Sequence, residues 1–488
     1  MNTPSKSVCS ERHSSSEDEP GTAANGESIA LGAITGAESK SDLLSKELKS
    51  SQPPFNADSA PTGLKAYQTL SRAAAPIAKL ALQQRLKRGK EDPDRIGERR
   101  GLASQDRPDG ELIWIHGASV GESLSVLPLI ERISLRRPEI NILVTTGTVT
   151  SAQLMKERLP EGVIHQFIPI DHPAFVAQFL HHWRPTAALF VESEFWPNLI
   201  LAAREHVDFM AIINGRVSPK SFQSWSQRPH TIRFLLSAFD LIIAQDQQNQ
   251  DRLTALSGQA AKTFGNLKNA APPLPADAEE VQSTKASLNG RPVWLAASTH
   301  EGEEELIIDT HRRLVQEIPD LLTILAPRHP NRGHHAMDLL RAANLKGQQR
   351  SKKRGFDPST DIYIADTLGE LGLLYRLSTV AFVGGSLIKK GGHNPLEPAR
   401  LGCAILHGPH IFNFVETYAD MRKKGGAALV RNERDLATSV GRLLKDEKTR
   451  STIADVSRST AEASAERTLN LISDEIFRHL PKKAHAAQ

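Results

Sequence analysis

The sequence predicts an α/β protein made of two consecutive domains, each with a parallel sheet. From Glu111 onward, short apolar segments of strand length alternate with helix-like segments, which is typical of parallel strands joined by crossover helices. The pattern stops in the proline-rich stretch 272–277 and starts again at 293 with VWLAAST. Open parallel sheets bind ligands beyond the carboxyl ends of their strands, so we expect the functional site in a cleft between the domains.

Composition changes divide the chain into five parts. Residues 1–60 are rich in Ser, Glu, Lys, Gly and Ala and show no sustained period, so we expect disorder there. Residues 61–100 contain a basic amphipathic helix. The first domain is predicted at 101–271, a linker at 272–286, and the second domain, with a final helix, at 287–480.

The predicted helix between Leu64 and Lys90 carries an apolar stripe and a cluster of basic residues toward its end. Pro76 is expected to kink it. Such a helix can lie on an anionic lipid surface, or it can pack against its own domain. The sequence leaves both interpretations open.

Overall composition excludes several classes of protein. Of 488 residues, 39% are hydrophobic and 24% charged, as in ordinary globular proteins, and the net charge of +4 gives no reason to expect nucleic-acid binding. Cys9 and Cys403 cannot form a disulfide framework or a thiolate metal cluster, which suits a reducing cytoplasm. The sequence has no secretory signal and no apolar run of about 18 residues, so we expect neither export by that route nor a membrane span.

A glycine-rich turn follows the predicted buried strand 380–383. We expect its glycines to let backbone N–H groups approach a ligand closely, which favours anions. These glycines are Gly384, Gly385, Gly391 and Gly392.

A helix start comes directly after this turn. Asn394 is expected to cap the helix and Pro395 to occupy its first position, which leaves free N–H groups and the positive dipole end facing the loop. A phosphate is the expected ligand. Glu397 fits two roles, the return arm of a capping box or an acceptor for ligand hydroxyls.

Two other strand ends carry a serine three residues before a glutamate. For Ser298 and Glu301 we accept a simple capping box, because glutamates continue through the next turn. Glu122, three residues after Ser119, is surrounded by small residues. This space would let an acceptor hydroxyl reach its carboxylate, which makes Glu122 a candidate general base.

The segment 117–121 also fits G-x-S-x-G, the nucleophile elbow of α/β-hydrolases, with Ser119 as nucleophile. Against this interpretation, no strand-like segment precedes residue 111 to supply an oxyanion hole. His393 or His410 could complete a triad, but the spacing selects neither.

Charged residues end two further predicted strands. Glu192 and Glu194 follow a buried strand, where one carboxylate can accept loop N–H groups and the other can face the cleft. Arg328, with Lys389 or Lys390, is suited to neutralise a phosphate leaving group, although a surface salt bridge is the ordinary alternative. The histidines show no metal-ligand spacing, so we expect a site that works without a metal.

Nine short motifs, taken in their order and spacing, resemble the bacterial 3-deoxy-D-manno-octulosonic acid (Kdo) transferases of the lipopolysaccharide inner core. The match covers roughly residues 95–475. The motifs are WIHGASVGE, VTTGT, ESEFWPN, INGR, GNLK, AASTHEGEEE, APRHP, FVGGSL and GGHNPLEPA.

The resemblance implies a GT-B architecture of two Rossmann-like domains facing a cleft. It implies transfer of Kdo from CMP-Kdo to the tetra-acylated lipid A precursor (lipid IVA), with inversion, without a metal and without a cofactor. The location that the resemblance implies for the protein is the cytoplasmic side of the bacterial inner membrane. Family members usually begin with a hydrophobic anchor; here the helix at 64–86 stands in that position, which implies peripheral or weak attachment.

The resemblance also implies roles for individual residues. Glu122 looks like the base that deprotonates the acceptor glucosamine hydroxyl, and Glu192 or Glu194 would help to position that acceptor. Ser119 and Gly121 would contact the acceptor. The donor contacts would be Arg328, Gly384, Gly385, Asn394 and Glu397, with Ser298 and Thr299 as further candidates. A serine hydrolase and a non-catalytic protein that binds a nucleotide sugar or lipid are the alternatives.

Overall fold

The structure is a computed structural model that describes residues 55–480. Of the extension expected to be disordered, residues 1–54 lie outside the described part. Ala57–Ser59 form a short 3-10 helix just before the first α-helix.

The first domain contains a seven-stranded parallel sheet, as the alternating pattern predicts. Its strand order is β3-β2-β1-β4-β5-β6-β7, so the order reverses between β1 and β4. The strands are β1 (Leu112–Gly117), β2 (Asn141–Thr146), β3 (Ile164–Phe167), β4 (Ala187–Val191), β5 (Phe209–Gly215), β6 (Leu241–Ala244) and β7 (Lys262–Thr263). The helices are α1 (Thr62–Ala73), α2 (Ala75–Lys87), α3 (Val120–Arg136), α4 (Val149–Arg158), α5 (Pro173–Trp183), α6 (Pro197–His206), α7 (Pro219–Ser226), α8 (Pro229–Leu236) and α9 (Gln247–Ser257), with 3-10 turns at Glu98–Arg100 and Leu267–Ala270.

The second domain repeats this plan with the order β10-β11-β9-β8-β12-β13-β14, reversing between β8 and β12. Its strands are β8 (Val293–Thr299), β9 (Leu322–Pro327), β10 (Gly347–Gln349), β11 (Ile362–Ile364), β12 (Val380–Val383), β13 (Ala404–His407) and β14 (Ala427–Leu429). Its helices are α10 (Ala278–Leu288), α11 (Glu303–Leu314), α12 (Gly333–Ala342), α13 (Leu371–Leu377), α14 (Leu396–Arg400), α15 (Val415–Lys424), α16 (Glu433–Lys445) and α17 (Glu447–His479), with a 3-10 turn at Pro330–Arg332. Helix α10 therefore occupies most of the predicted linker.

Both sheets use the same pair of residues to satisfy a buried indole. Trp114 in β1 donates its N–H to Thr145 Oγ1 in β2 at 2.8 Å, and Trp294 in β8 donates to Thr323 Oγ1 in β9 at 2.7 Å. Both tryptophans are fully buried. A buried polar group without a partner is costly, so these bonds let two large aromatic side chains fill the sheet centres.

The predicted N-terminal helix is two helices, α1 and α2, separated at Ala74, with Pro76 in the first turn of α2. Helix α1 packs on α5 and α6, and the Tyr67 hydroxyl donates to Asp171 Oδ2 at 2.8 Å. Leu70 and Ile77, however, are each 70% exposed. The apolar stripe is thus split between a face that packs on the domain and a face turned to solvent.

The final helix, α17, belongs to both domains. Ala461, in its middle, joins a core cluster of the second domain, whereas Leu469, Ile472 and Ile476 join the core of the first. Lys262 in β7 also forms a 2.7 Å ion pair with Glu475. Periodicity predicts this helix within 287–480 but does not say which sheet it packs against.

Gly384 sits where β12 presses against the end of β8. A Cβ at this position would lie 2.6 Å from Ser298 O and 2.9 Å from Ala297 O. Both atoms are backbone, so the clash cannot be relieved by a side-chain rotation.

We predict that Gly384→Ala lowers the free energy of unfolding by about 1–3 kcal/mol, the usual cost of overpacking. Gly63→Ala is the control, because a Cβ there meets nothing within 4 Å and the helical site tolerates alanine. Thermal and guanidinium unfolding of the two variants measure the difference. Equal midpoints would show that the two strand ends can move apart freely.

Candidate active site

The predicted catalytic carboxylates lie at the strand-order reversal of the first sheet. Glu122 is in the first turn of α3, directly after β1, and Glu192 and Glu194 follow β4. Strands β1 and β4 are paired in parallel, so their carboxyl ends meet at one edge. The structure therefore brings these carboxylates to one place.

Glu122 is held by two hydrogen bonds and is nearly buried, with 7% of its surface exposed. Its Oε1 accepts from the Ser119 hydroxyl at 2.7 Å, and its Oε2 accepts from the Ala118 N–H at 2.7 Å. Ser119 is the N-cap of α3. The capping box is therefore real, and it fixes the carboxylate in one orientation while each oxygen keeps acceptor capacity for a further ligand.

Glu194 interacts electrostatically with Glu122. Burial raises the pKa of Glu194, and repulsion from the charge of Glu122 raises it further. The Trp196 indole N–H donates to Glu194 Oε2 at 2.8 Å and acts in the opposite direction. Glu194 therefore holds a proton more readily than an isolated glutamate does.

Glu192 has a different partner. Its backbone adopts a left-handed conformation with φ of 61°, and its Oε1 accepts from Lys268 Nζ at 2.5 Å. Sequence reasoning did not single out Lys268, although it belongs to the GNLK motif. With Glu192 paired to a cation, Glu194 is the better match for a role beside Glu122.

The second strand-order reversal positions four of the predicted donor residues. Ser298 and Thr299 end β8, and Gly384 and Gly385 follow β12. Ser298 is left-handed, with φ of 57°, and Thr299 is completely buried. Ser298 and Thr299 shape the strand end, and in this conformation Thr299 is not accessible to a ligand.

A buried glutamate occupies the amides of the glycine turn. Glu303 is 0% exposed, and its carboxylate accepts the N–H groups of Gly385, Ser386 and Leu387 at 2.7–3.0 Å and that of His300 at 3.1 Å. Burial raises the pKa of Glu303, and these four hydrogen bonds lower it.

The expected mechanism of the glycine turn therefore needs correction. The N–H of Gly385 is taken by Glu303, that of Gly384 donates to Ala297 O at 2.8 Å, and that of Gly392 donates to Gly385 O at 2.8 Å. These groups are not free for a phosphate in this conformation. At Gly384 the absence of a side chain allows β12 to pack closely against the end of β8.

The predicted cap at Asn394 is present, one residue displaced. Asn394 Oδ1 accepts from the Leu396 N–H at 3.1 Å, and α14 begins at Leu396 instead of Pro395 and is only five residues long. Burial raises the pKa of Glu397, while a hydrogen bond from the Asn394 side chain and the charge of Arg328 lower it. The carboxylate of Glu397 is therefore bonded to the side chain of Asn394.

Arg328 is exposed at the end of β9 and makes no side-chain hydrogen bond or ion pair with any residue in the range 55–480. Its charge reaches Glu397 and also lowers the pKa of His300 and His393. This guanidinium is therefore available to an anionic ligand. The alternative interpretation, a surface salt bridge, has no partner for Arg328 among the described residues.

The two histidines form a stacked pair beside Arg328. His300 Nε2 and His393 Nε2 are 2.9 Å apart, and the rings are parallel within 5°. Burial is the main reason that both pKa values are lowered, that of His393 to about 4. The pair is neutral at pH 7, so one ring donates and the other accepts.

One short segment connects the two sites. Lys268, which pairs with Glu192, lies in the turn Leu267–Ala270, and Arg400 of α14 donates to the carbonyls of Asn269 and, at 2.5 Å, of Ala271. Glu192 and the helix that carries Glu397 are thus both bonded to residues 268–271.

Comparison with known proteins decides the family. A model of the 3-deoxy-D-manno-octulosonic-acid transferase (Kdo transferase) family matches residues 94–271. A protein of Arabidopsis thaliana named probable 3-deoxy-D-manno-octulosonic acid transferase, mitochondrial, is 37% identical over 71% of this chain and 80% of its own. The 3-deoxy-D-manno-octulosonic acid transferase of Rickettsia bellii is 34% identical over 78% of this chain and 91% of its own.

The chain belongs to the Kdo transferase family. It is accordingly a glycosyltransferase. A glycosyltransferase structure from Rickettsia africae matches 77% of this chain with a TM-score of 0.54 at 12% identity, which supports the GT-B fold. The resemblance drawn from the nine motifs is therefore confirmed.

The hydrolase alternative is not supported in this Kdo transferase. The Ser119 hydroxyl donates to Glu122, and within residues 55–480 no histidine hydrogen-bonds to Ser119. His393 pairs with His300. Gly121 leaves open space next to Ser119, because a Cβ there would meet nothing within 4 Å.

We predict that Glu122→Gln lowers the pKa of Glu194, because it removes a repelling charge. The value should stay above that of an ordinary glutamate, since burial remains. Carboxyl NMR titration of 13C-glutamate-labelled protein measures the shift. Glu279→Gln, an exposed site in the other domain, is the control and should leave the Glu194 titration unchanged. Superimposable curves for Glu122→Gln and wild type would show that the two carboxylates do not interact.

Proposed function

We propose that this Kdo transferase moves Kdo from CMP-Kdo to a hydroxyl of lipid IVA, with inversion and without a metal or other cofactor. The observation that carries the proposal is the fixed carboxylate of Glu122 beside a second carboxylate with a raised pKa. This is the arrangement that deprotonation of a sugar hydroxyl requires.

In the proposed mechanism Glu122 accepts the proton of the acceptor hydroxyl as its oxygen attacks the anomeric carbon of Kdo. The C–O bond to CMP breaks on the opposite face, and the bond electrons leave with the CMP phosphate. One displacement without an enzyme nucleophile inverts the anomeric centre. Glu194 would hold the acceptor by a hydrogen bond, and Glu192 would keep Lys268 in place.

The leaving group would be neutralised by protein cations. Arg328 is exposed and unpaired within the described part, and Lys389 and Lys390 are exposed on the glycine turn. Positive groups that face a developing phosphate charge lower the barrier without a metal ion. Asn394 and Glu397 would contact the donor at the start of α14, where the helix dipole also favours an anion.

The N-terminal helices support attachment to a membrane surface, which we propose is the cytoplasmic face of a bacterial inner membrane. None of the helices described between residues 55 and 480 has the length and hydropathy needed to cross a bilayer. Helices α1 and α2 instead expose Leu70, Ile77 and Leu80. The exposed basic residues around them are Lys65, Arg72, Lys79, Arg85, Lys87, Arg88 and Lys90. Apolar insertion combined with basic charge is the pattern of peripheral binding.

We predict that Glu122→Gln lowers kcat about 10²- to 10⁴-fold, the usual contribution of a general base, while binding of CMP-Kdo is unchanged. Ser119→Ala should cost about tenfold or less, because it removes one hydrogen bond to the base. CMP release and lipid product, measured with CMP-Kdo and lipid IVA, test both variants. A serine hydrolase would show the reverse order, and a non-catalytic binding protein would show no turnover.

We predict that Ile77→Ser/Leu80→Ser weakens binding to vesicles of phosphatidylethanolamine and phosphatidylglycerol tenfold or more. A buried Leu or Ile contributes about 1.5–3 kcal/mol. Leu135→Ser/Leu368→Ser is the control, because these leucines are at least as exposed but lie elsewhere. Cosedimentation at two salt concentrations measures the affinities. If both double variants bind as wild type, α2 is not the contact.

A further inference from the structure

A cavity of about 390 Å³ lies between helix α2 and the first domain. One wall consists of Ala78, Ala81 and Leu82, and the opposite wall is formed by residues 168–170 and Leu199. This volume is within the range of ligand pockets, roughly 300–1,000 Å³.

Small side chains on α2 and ion pairs at the end of this helix border the cavity. Ala78 and Ala81 are three residues apart on α2, so both face the cavity with minimal volume. At the end of the helix Arg85 pairs with Glu91 at 2.6 Å, and Glu91 pairs with the buried Arg99 at 2.8 Å. Interiors normally close such space, whereas here it stays open beside a helix end that these ion pairs attach to the domain.

Two residues that hold the carboxylates also line the cavity. Ala118 lines it, and the N–H of Ala118 is the group that holds Glu122 Oε2. Trp196 also lines it, and the indole N–H of Trp196 holds Glu194. A molecule whose hydroxyl meets Glu122 is therefore adjacent to an apolar space.

We propose that this cavity receives one acyl chain of the acceptor lipid while its sugar hydroxyl lies at Glu122. The inference rests on the function proposed above. A lipid chain fits better than a peptide helix, because a helix about 10 Å across would fill this volume within roughly one turn. Ile77 and Leu80 are exposed on the outer face of α2. A lipid surface in contact with this face would supply the chain.

His116 is a polar residue in the cavity wall that could meet such a chain. It lines the cavity and is 1% exposed, and its Nε2 has no hydrogen-bond partner within the described residues. Its Nδ1 lies 3.0 Å from Thr145 Oγ1 and 3.3 Å from the Thr145 carbonyl oxygen. When Nδ1 accepts from the hydroxyl, Nε2 carries the proton and can donate to an oxygen of the acyl group. When Nδ1 donates to the carbonyl, Nε2 can accept from an acyl hydroxyl.

The test fills the cavity and compares two acceptors. Ala78→Trp should raise KM for lipid IVA at least tenfold, with little change in KM for the deacylated glucosamine disaccharide phosphate or in the dissociation constant of CMP-Kdo. Ala73→Trp, an exposed alanine on α1 outside the cavity, should match wild type with both acceptors. Retained CMP-Kdo binding shows that each variant is folded, and Ala78→Leu provides a milder filling of the same space.

The outcomes separate this inference from the proposed function. If wild type transfers Kdo to neither acceptor, the proposed function fails. If wild type is active but Ala78→Trp and Ala78→Leu leave KM for lipid IVA unchanged, the acyl-chain site is overturned. If KM rises equally for both acceptors, the cavity binds the sugar. If vesicle binding weakens while the ratio of the two KM values is unchanged, the cavity binds bulk membrane lipid. Either result overturns the proposal.

Discussion

Parallel strands that are buried on both faces leave polar groups at their carboxyl ends, and those groups need partners. In each domain a glutamate in the first turn of the following helix provides them. Glu303 accepts four backbone N–H groups and is completely buried, so its carboxylate is fully committed to structure. Glu122 accepts only one backbone N–H and one hydroxyl and remains slightly exposed. The same arrangement thus uses one carboxylate fully and leaves the other with free acceptor capacity.

The residues between the sheets join the two halves of the site. Residues 268–271 contact Glu192 through Lys268 and contact α14 through Arg400, and α14 carries Glu397. Burial lowers the pKa of Arg400, and the charges of Glu462 and Glu397 raise it. A movement of one domain toward the other therefore changes the surroundings of Glu192 and of α14 together.

Much of the fold follows from local sequence patterns, but most partners in the site do not. The alternation of apolar segments predicts both sheets, and the serine before Glu122 predicts its cap, because these signals depend on neighbours in sequence. Glu303 and Gly385 are 82 residues apart, and Glu192 and Lys268 are 76 apart. No periodicity links such pairs. Gly385 has the left-handed φ that a glycine permits, but the sequence does not reveal that another carboxylate already occupies its amide.

Helix α17 has a consequence for how this chain can be divided. At 1.5 Å per residue, its 33 residues make a rod of roughly 50 Å, which reaches from one sheet to the other. Leu469, Ile472 and Ile476 complete the core of a domain whose strands end some 200 residues earlier. A fragment cut after residue 271 would lack that wall and expose apolar surface. The N-terminal half is therefore not an independent module, and any excised version must carry the end of the chain with it.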